Sequence, residues 1–392
     1  MGCDRDGMTK IEFLVVFVCS GILLGLLLPE VRRRGGASRK AQCSFNIRNF
    51  ALATIQYENS KGHFPHWAQK FGSFAGGSDP SMPGATAGIH DKIGTWTVAL
   101  LPYLDAQATY EVWTEDKYPI LSSGTDNNPS SSGQAGVGYT INAAPNLEIM
   151  QCPTSPMNQS DHGRNSYVAN MGFCYRTAPG FGGPAGESPF TLERSMSGAN
   201  GVLSNGHAGL LPDGTVAAVG NNLTLADFHD GQGYTVLFSE NLQAQPWHRA
   251  GLIMDSYRAG DNDLAPGGDV TKVAYDVSSR YAQGFVWHWA DSEMKTSGGG
   301  DVRPMNVKPA WRINGGIGSE DKLNVQFNRS TMYDLARPSS AHANGVNMAF
   351  ADGSVRFILD SIDYRVYQAL MTPDGGNSDV PDPTYLLDTE SL

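Results

Sequence analysis

The chain has 392 residues and a net charge of −11, with 17% charged residues, 46 Gly and 22 Pro. The acidic balance, with no sustained basic stripe over the body, argues against a nucleic-acid partner. The Gly and Pro content argues against a helical bundle and for a turn-rich, β-leaning globular part.

The first predicted element is an apolar helix within GMTKIEFLVVFVCSGILLGLLLPEV, Gly7 to Val31. Phe13 to Leu28 carries no charge, and the 18 residues from Ile11 to Leu28 rise roughly 27 Å as a helix. That is close to the hydrocarbon thickness of a bilayer, so the pattern predicts a transmembrane helix over 8–30. One carboxylate, Glu12, sits near its start, and an acid at the edge of such a segment is a functional candidate by default. The bland alternative is a side chain that snorkels to the interface and needs no partner. Arg32, Arg33, Arg34, Arg39 and Lys40 follow the run and suit a membrane surface.

Residues 31–60 read as an amphipathic extension of that helix. Cys43, Ile47, Phe50, Ala51, Thr54 and Tyr57 recur at three- and four-residue spacing. Gly35-Gly36 predicts a kink or break, because two glycines cost roughly 2 kcal/mol against alanines. Gly62 and Pro65 end the helix. A second helix, interrupted at Pro102, is predicted within Thr95 to Trp113, between polar loops at 71–90 and 121–136.

From about Gly138 short strands and turns take over, with candidates at Gly201 to Ser204, Thr235 to Ser239 and Gly284 to Trp289. Alternation is clearest at Val346, Met348 and Phe350, then at Val355, Phe357 and Leu359. Asp352-Gly353 between these runs predicts a tight hairpin. The body 61–371 is read as one α+β domain, and the acidic stretch 372–392 as a flexible tail.

Five cysteines are present, at 3, 19, 43, 152 and 174. One disulfide among Cys43, Cys152 and Cys174 fits an exported body. Cys152–Cys174 closes the shorter loop, but the sequence alone leaves the pairing open. There is no C-x-x-C pair to argue for zinc.

The remaining candidates each carry a bland reading. His63 and His66 form an H-x-x-H outside any helix, so metal ligation is the minor alternative. Asp261, Asp263 and Asp269 either bind calcium or form a solvated acidic loop, the latter favoured. Trp287, His288 and Trp289 either stack on a sugar or pack a core, again the latter. Ser239-Glu240 and Asp230-Gly231 read as strand and turn chemistry. No nucleophile elbow, phosphate loop, metalloprotease or dinucleotide motif is present, so no catalytic residue, metal or cofactor is assigned and a non-enzymatic role is expected.

Two resemblances add to this reading. Gly7 to Val31 resembles the prepilin-type cleavage and methylation signal, G-F-T-L-x-E followed by an apolar run. The resemblance implies a leader, 1–7, cut after Gly7 by a prepilin peptidase, with Met8 as the methylated new terminus and Glu12 as the fifth mature residue. Glu12 would then neutralise the terminal amine of a neighbouring subunit. Lys10 departs from the usual apolar third residue, Met8 from the usual phenylalanine, and Asp4 and Asp6 make the leader non-basic. The arginine cluster also opposes the orientation that this signal requires.

Further pieces, QCSFNIRNFALATIQYENSKGHFP, WTVALLPYLDAQATY, QCPTSP, NSYVANMG, FHDGQGYTVLFSEN and SSAHANGVNMAFADGSVRFI, occur in that order. They resemble a large bacterial pilin-like family of unknown function whose members carry the prepilin signal and a C-terminal His-x9-Asp-Gly motif. Here the motif falls on His342, Asp352 and Gly353. Either these residues bind a metal or ligand, or, as favoured, Asp-Gly makes the turn and His342 packs beside the hairpin.

The fold expected from all this is α+β: a long N-terminal transmembrane and amphipathic helix packed on a large antiparallel β-rich domain. The expected function is that of a membrane-anchored pilin-like or pseudopilin-like structural protein of a type IV pilus or type II secretion-like system. Its partners would be prepilin peptidase, the membrane and other pilin-like subunits. It would sit as a single-pass protein in the inner membrane, its C-terminal domain extracytoplasmic. The alternative is an anchored module that binds glycans or envelope material and does not polymerise.

Overall fold

A computed structural model describes residues 9–81, 83–84, 86–87, 90–120, 139–156, 162–175, 191–208, 219–249, 264–265, 269–273, 279–292, 305–316, 327 and 331–387. Of residues 24–35, 37, 90, 264–265, 269–273, 279 and 305 it describes the backbone alone.

The chain opens with α1, Lys10–Lys61, a single helix of 52 residues. Its start is fixed by a capping box. The Glu12 backbone N–H donates to Thr9 Oγ1 at 3.3 Å, and the Thr9 N–H donates to Glu12 Oε2 at 2.8 Å. Its end is fixed by Gly62, which takes a left-handed conformation (φ 78°) and donates its N–H to Glu58 O. The expected break at Gly35-Gly36 is absent. Carrying a helix through two glycines costs roughly 2 kcal/mol, whereas stopping it and nucleating another costs about 4 kcal/mol.

The membrane-spanning expectation is corrected. Among the described residues, no helix is long and apolar enough to cross a membrane. The uncharged run, Phe13 to Pro29, is 17 residues, and the same helix carries Glu12 before it and Glu30 and Arg32 to Arg34 after it. A span calls for about 20 predominantly apolar residues. A single-pass inner-membrane topology is therefore not supported.

The body is built on one five-stranded sheet. Its strands are β1 (Tyr167–Phe173), β2 (Val236–Glu240), β3 (Gly284–Trp287), β4 (Gly345–Phe350) and β5 (Val355–Leu359), in the order β5-β4-β2-β1-β3. The sheet is mixed rather than antiparallel throughout, because β1 and β3 run parallel. Val346, Met348 and Phe350 of β4 join a core with Phe285 and Trp287 of β3 and with Tyr364, Tyr367 and Leu370 of a C-terminal helix, α2 (Tyr364–Met371). Ala349 belongs instead to the core on the other face, with Cys43, Ile47, Phe50, Ala51 and Tyr57 of α1. The period of two along β4 thus feeds two cores, and the predicted apolar stripe of α1 covers one of them.

Several elements differ in detail from the expectations. The helical region near Pro102 is split into Trp96–Leu100, a 3-10 turn at Leu101–Leu104 with that proline near its start, and Gln107–Thr114. Gly201 to Ser204 is not a strand; it approaches β1 through Leu203, whose N–H donates to Asn170 O. In β5 the deeply buried residue is Ile358, while Leu359 is 52% exposed, since this strand forms the sheet edge. Residues 372–387 pack onto the body. Val380, Tyr385 and Leu387 lie against the core beside α2, and the Asp379 N–H donates to Asn200 Oδ1 at 2.8 Å.

Candidate functional site

Four residues far apart in sequence meet beneath α1. Cys43 comes from the buried stripe of α1, and Cys152 follows the 3-10 turn Glu148–Met150. Glu240 is the last residue of β2, and His342 lies in the loop leading into β4. Strand register brings the last two together. Met348 of β4 pairs with Ser239 of β2, which sets Asn347 beside Glu240. The loop is held by Ser340, whose hydroxyl accepts from the His342 N–H at 3.1 Å and donates to Gly345 O at 2.7 Å.

One potential ligand atom from each of the four residues lies within 4.8 Å of all the others, and every one of the four residues is buried. Cys43 and Cys152 are joined as a disulfide, with their Cα atoms 5.0 Å apart. This corrects the Cys152–Cys174 alternative; Cys174 is a buried thiol outside the disulfide. Proximity decides the pairing, because the α1 stripe presses Cys43 onto the turn holding Cys152, whereas loop length carries no such information.

The centre of the cluster is a buried carboxylate–imidazole pair. His342 Nε2 faces Glu240 Oε1 at 3.0 Å, with residue exposures of 7% and 2%. Asn347 donates twice to the carboxylate, from its backbone N–H to Oε2 at 2.8 Å and from Nδ2 to Oε1 at 3.1 Å. Cys152 Sγ lies 3.5 Å from Glu240 Oε1 and 3.9 Å from His342 Nε2. The half-buried Thr154 holds its hydroxyl 2.9 Å from Cys152 Sγ and 3.7 Å from Cys43 Sγ. Burial, and then the negative charge of Glu240, push the Tyr167 hydroxyl well above its ordinary pKa. A carboxylate out of water is tolerated only when paired and hydrogen-bonded, and here three donors do this.

The C-terminal motif is divided by the structure. His342 belongs to the cluster, while Asp352 and Gly353 make the β4–β5 turn at the other end of β4. Asp352 Oδ1 accepts from the Ser354 N–H at 2.8 Å. Gly353 has φ +80°, and a Cβ there would meet Leu52 of α1 at 3.1 Å. The turn therefore needs glycine for conformation and for close approach to the helix.

The other sequence candidates fall elsewhere. Gly7 and Met8 lie outside the described residues, as do Asp261 and Asp263, and only the backbone of Asp269 is described. Glu12 is exposed, and its carboxyl is held below the usual pKa by the Thr9 backbone hydrogen bond first. Trp287 is buried in the core, and His288 stacks on Trp311 at 4.1 Å, so this run does not form an aromatic platform. Asp230 lines a cavity of about 550 Å³ with His229, Tyr234, Arg365 and Tyr385. The Gly375 N–H donates to its carboxylate at 2.6 Å, and burial raises its pKa.

Glu240 is the functional candidate missed from sequence, where Ser239-Glu240 reads as strand chemistry. Its one signal is an acid closing the run Val236 to Glu240, all five of which are buried. Cys43 was read as a core position and as one of three cysteines open to a disulfide, and its Sγ is also a member of the cluster.

His63 and His66 lie with ring centroids 5.2 Å apart and their planes tilted by 34°. His66 Nδ1 meets Ser204 Oγ at 3.0 Å, and burial first, then His63, lowers its pKa to about 4. A histidine whose folded pKa lies below its unfolded value holds fewer protons in the native state, so stability present above pH ~6.5 is lost as pH falls toward 4. The expected loss over that window is about 3 kcal/mol from His66. Urea melts of the wild type and His66→Gln at pH 7 and pH 4 check this. The variant should show a smaller loss; an equal loss would clear His66.

The fold and cluster define an α+β protein with one long helix packed on a mixed sheet and, between them, a Glu240–His342 pair beside the Cys43–Cys152 disulfide. Residues 36–365 match the profile of a family described as Protein of unknown function (DUF1559), and the chain belongs to that family. No curated protein and no solved structure matches the chain.

Proposed function

We propose that the protein is a pilin-like assembly subunit whose N-terminal helix is the assembly element and whose α+β body is displayed. The observation that carries this reading is the exposed start of α1. Ile11, Phe13, Leu14, Val15, Val16, Phe17, Val18, Ile22 and Leu23 are each more than half exposed. Phe13 to Val18 are consecutive, so at 100° per residue they surround the helix rather than mark one stripe. Covering each such side chain contributes roughly 1.5–3 kcal/mol. Equivalent helices of further pilin-like subunits are the occupants that match this surface in length and chemistry.

Within this reading, processing after Gly7 leaves Met8 as a cationic terminus, and Glu12 compensates the terminus of a neighbour. The supporting feature is an ionised carboxyl at the third position of α1. The glycan-binding alternative loses its main support, because Trp287 and His288 are buried.

The test is chemical cross-linking of the full chain across a concentration series. The wild type should give a ladder of oligomers. Phe13→Glu with Phe17→Glu should give monomer with unchanged near-ultraviolet circular dichroism. Glu12→Gln keeps the capping box but removes the charge, and should weaken association about tenfold or more. A wild type that stays monomeric throughout overturns the proposal. Unchanged association in Glu12→Gln removes the charge-pairing role alone.

A further inference from the structure

The cluster beneath α1 has the composition of a transition-metal site with its two sulfurs locked together. We propose that reduction of the Cys43–Cys152 disulfide converts this cluster into a zinc site ligated by Cys43, Cys152, Glu240 and His342.

The donor set comes first. Two thiolates, one imidazole and one carboxylate are the ligand types that bind Zn²⁺ in four-coordinate tetrahedral sites. Oxygen-loving cations such as Mg²⁺ or Ca²⁺ do not fit a set with two sulfurs. Geometry comes second. The four ligand atoms lie within 4.8 Å of one another. A tetrahedral site with Zn–S near 2.3 Å and Zn–N and Zn–O near 2.0–2.1 Å needs ligand atoms ~3.3–3.7 Å apart. His342 Nε2 and Glu240 Oε1 are 3.0 Å apart, and Cys152 Sγ is 3.5 Å from the carboxylate and 3.9 Å from the imidazole. Once the S–S bond is gone, the two sulfurs separate by side-chain rotation about Cα atoms 5.0 Å apart, and the other ligand atoms adjust by about 1 Å or less to reach tetrahedral spacing.

The surroundings are those of a supported site. Asn347 fixes the carboxylate with two hydrogen bonds, leaving lone pairs directed at the cluster. The Thr154 hydroxyl sits beside both sulfurs and can donate to a thiolate. Such outer partners orient ligands and tune their basicity.

The step balances as follows. A dithiol reductant gives two electrons and two protons to the disulfide and is itself oxidised to a disulfide, leaving two thiols in the protein. Zn²⁺ then displaces both thiol protons to solvent. The Nε2 proton of His342 passes to Nδ1 by way of solvent, freeing the Nε2 lone pair. Two thiolates, one carboxylate and Zn²⁺ leave a net charge of −1 in place of the −1 of Glu240, so the buried charge is unchanged.

The experiment uses the full chain, reduced with a phosphine that does not compete for metal, then freed of reductant and titrated with zinc. The expected result is one equivalent bound by the reduced protein and none by the oxidised protein. Cobalt(II) in place of zinc should give the intense red-region bands of a tetrahedral ion and a near-ultraviolet thiolate charge-transfer band. Cys43→Ser with Cys152→Ser should lose both signals, and His342→Gln should weaken zinc at least tenfold while keeping the thiolate band. Reduced, folded protein that binds no more zinc than the double-serine variant overturns the proposal, as does a cobalt spectrum without the thiolate band. Should reduction unfold the chain, zinc added on refolding should restore the near-ultraviolet circular dichroism, and failure to restore it overturns the proposal equally.

Discussion

Replacing Glu240 by alanine is expected to lower the unfolding free energy by about 3–5 kcal/mol. The carboxylate is 2% exposed and collects donors from His342 Nε2, the Asn347 backbone and Asn347 Nδ2. Its removal strands all three beneath α1, and each buried unsatisfied donor costs roughly 1–3 kcal/mol. The backbone donor matters most, because it belongs to β4 and no side-chain substitution removes it. His342→Ala should cost less than Glu240→Ala, since Asn347 still serves the carboxylate. The double variant should cost clearly less than the sum, because both single changes break the same contact. Urea denaturation followed by tryptophan fluorescence measures all three. A loss under about 1 kcal/mol for Glu240→Ala would show that the carboxylate is not a structural acceptor.

Part of this arrangement was legible in the sequence and part was not, and the division follows range. The stripe Cys43, Ile47, Phe50, Ala51, Thr54 and Tyr57 repeats within one helix, so its spacing reports its face directly, and all six residues are buried. The hairpin was legible for the same reason, because Asp352-Gly353 is a local turn signal between two alternating runs. Glu240 was not, since nothing near it in sequence tells that β2 ends opposite Asn347, 107 residues away. The disulfide partner of Cys152 was likewise hidden, as loop length ranks closures by entropy and ignores which surfaces pack. The expected span failed on length and apolarity. The run was read as the membrane-spanning first half of one long helix; the helix is there to Lys61, but the uncharged stretch within it is too short and too closely bracketed by charge to span. The His-x9-Asp-Gly motif conceals a similar division, since one strand length separates a buried ligand-type residue from a turn.

Removing the Cys43–Cys152 cross-link is expected to cost about 5 kcal/mol. The two residues are 109 apart in sequence, so the bond restrains a long loop in the unfolded chain. It also fastens α1 to the segment that leads into β1, where Asn46 Nδ2 donates to Gln151 O at 3.1 Å and the Tyr167 hydroxyl donates to Cys43 O at 3.4 Å. Those contacts hold the native geometry without the covalent bond, so the loss should fall mainly on the unfolded state. Two routes separate these contributions. Phosphine reduction of the wild type removes the cross-link and keeps both sulfurs, while Cys43→Ser with Cys152→Ser removes both. Equal losses near 5 kcal/mol in metal-free buffer would assign the effect to loop closure, and non-reducing peptide mapping should find the Cys43 and Cys152 peptides joined beforehand. A double-serine variant as stable as the oxidised protein would refute the stabilising role. Zinc should then distinguish the two samples, returning stability to the reduced wild type by ligating the same pair of sulfurs and returning none to the variant that lacks them.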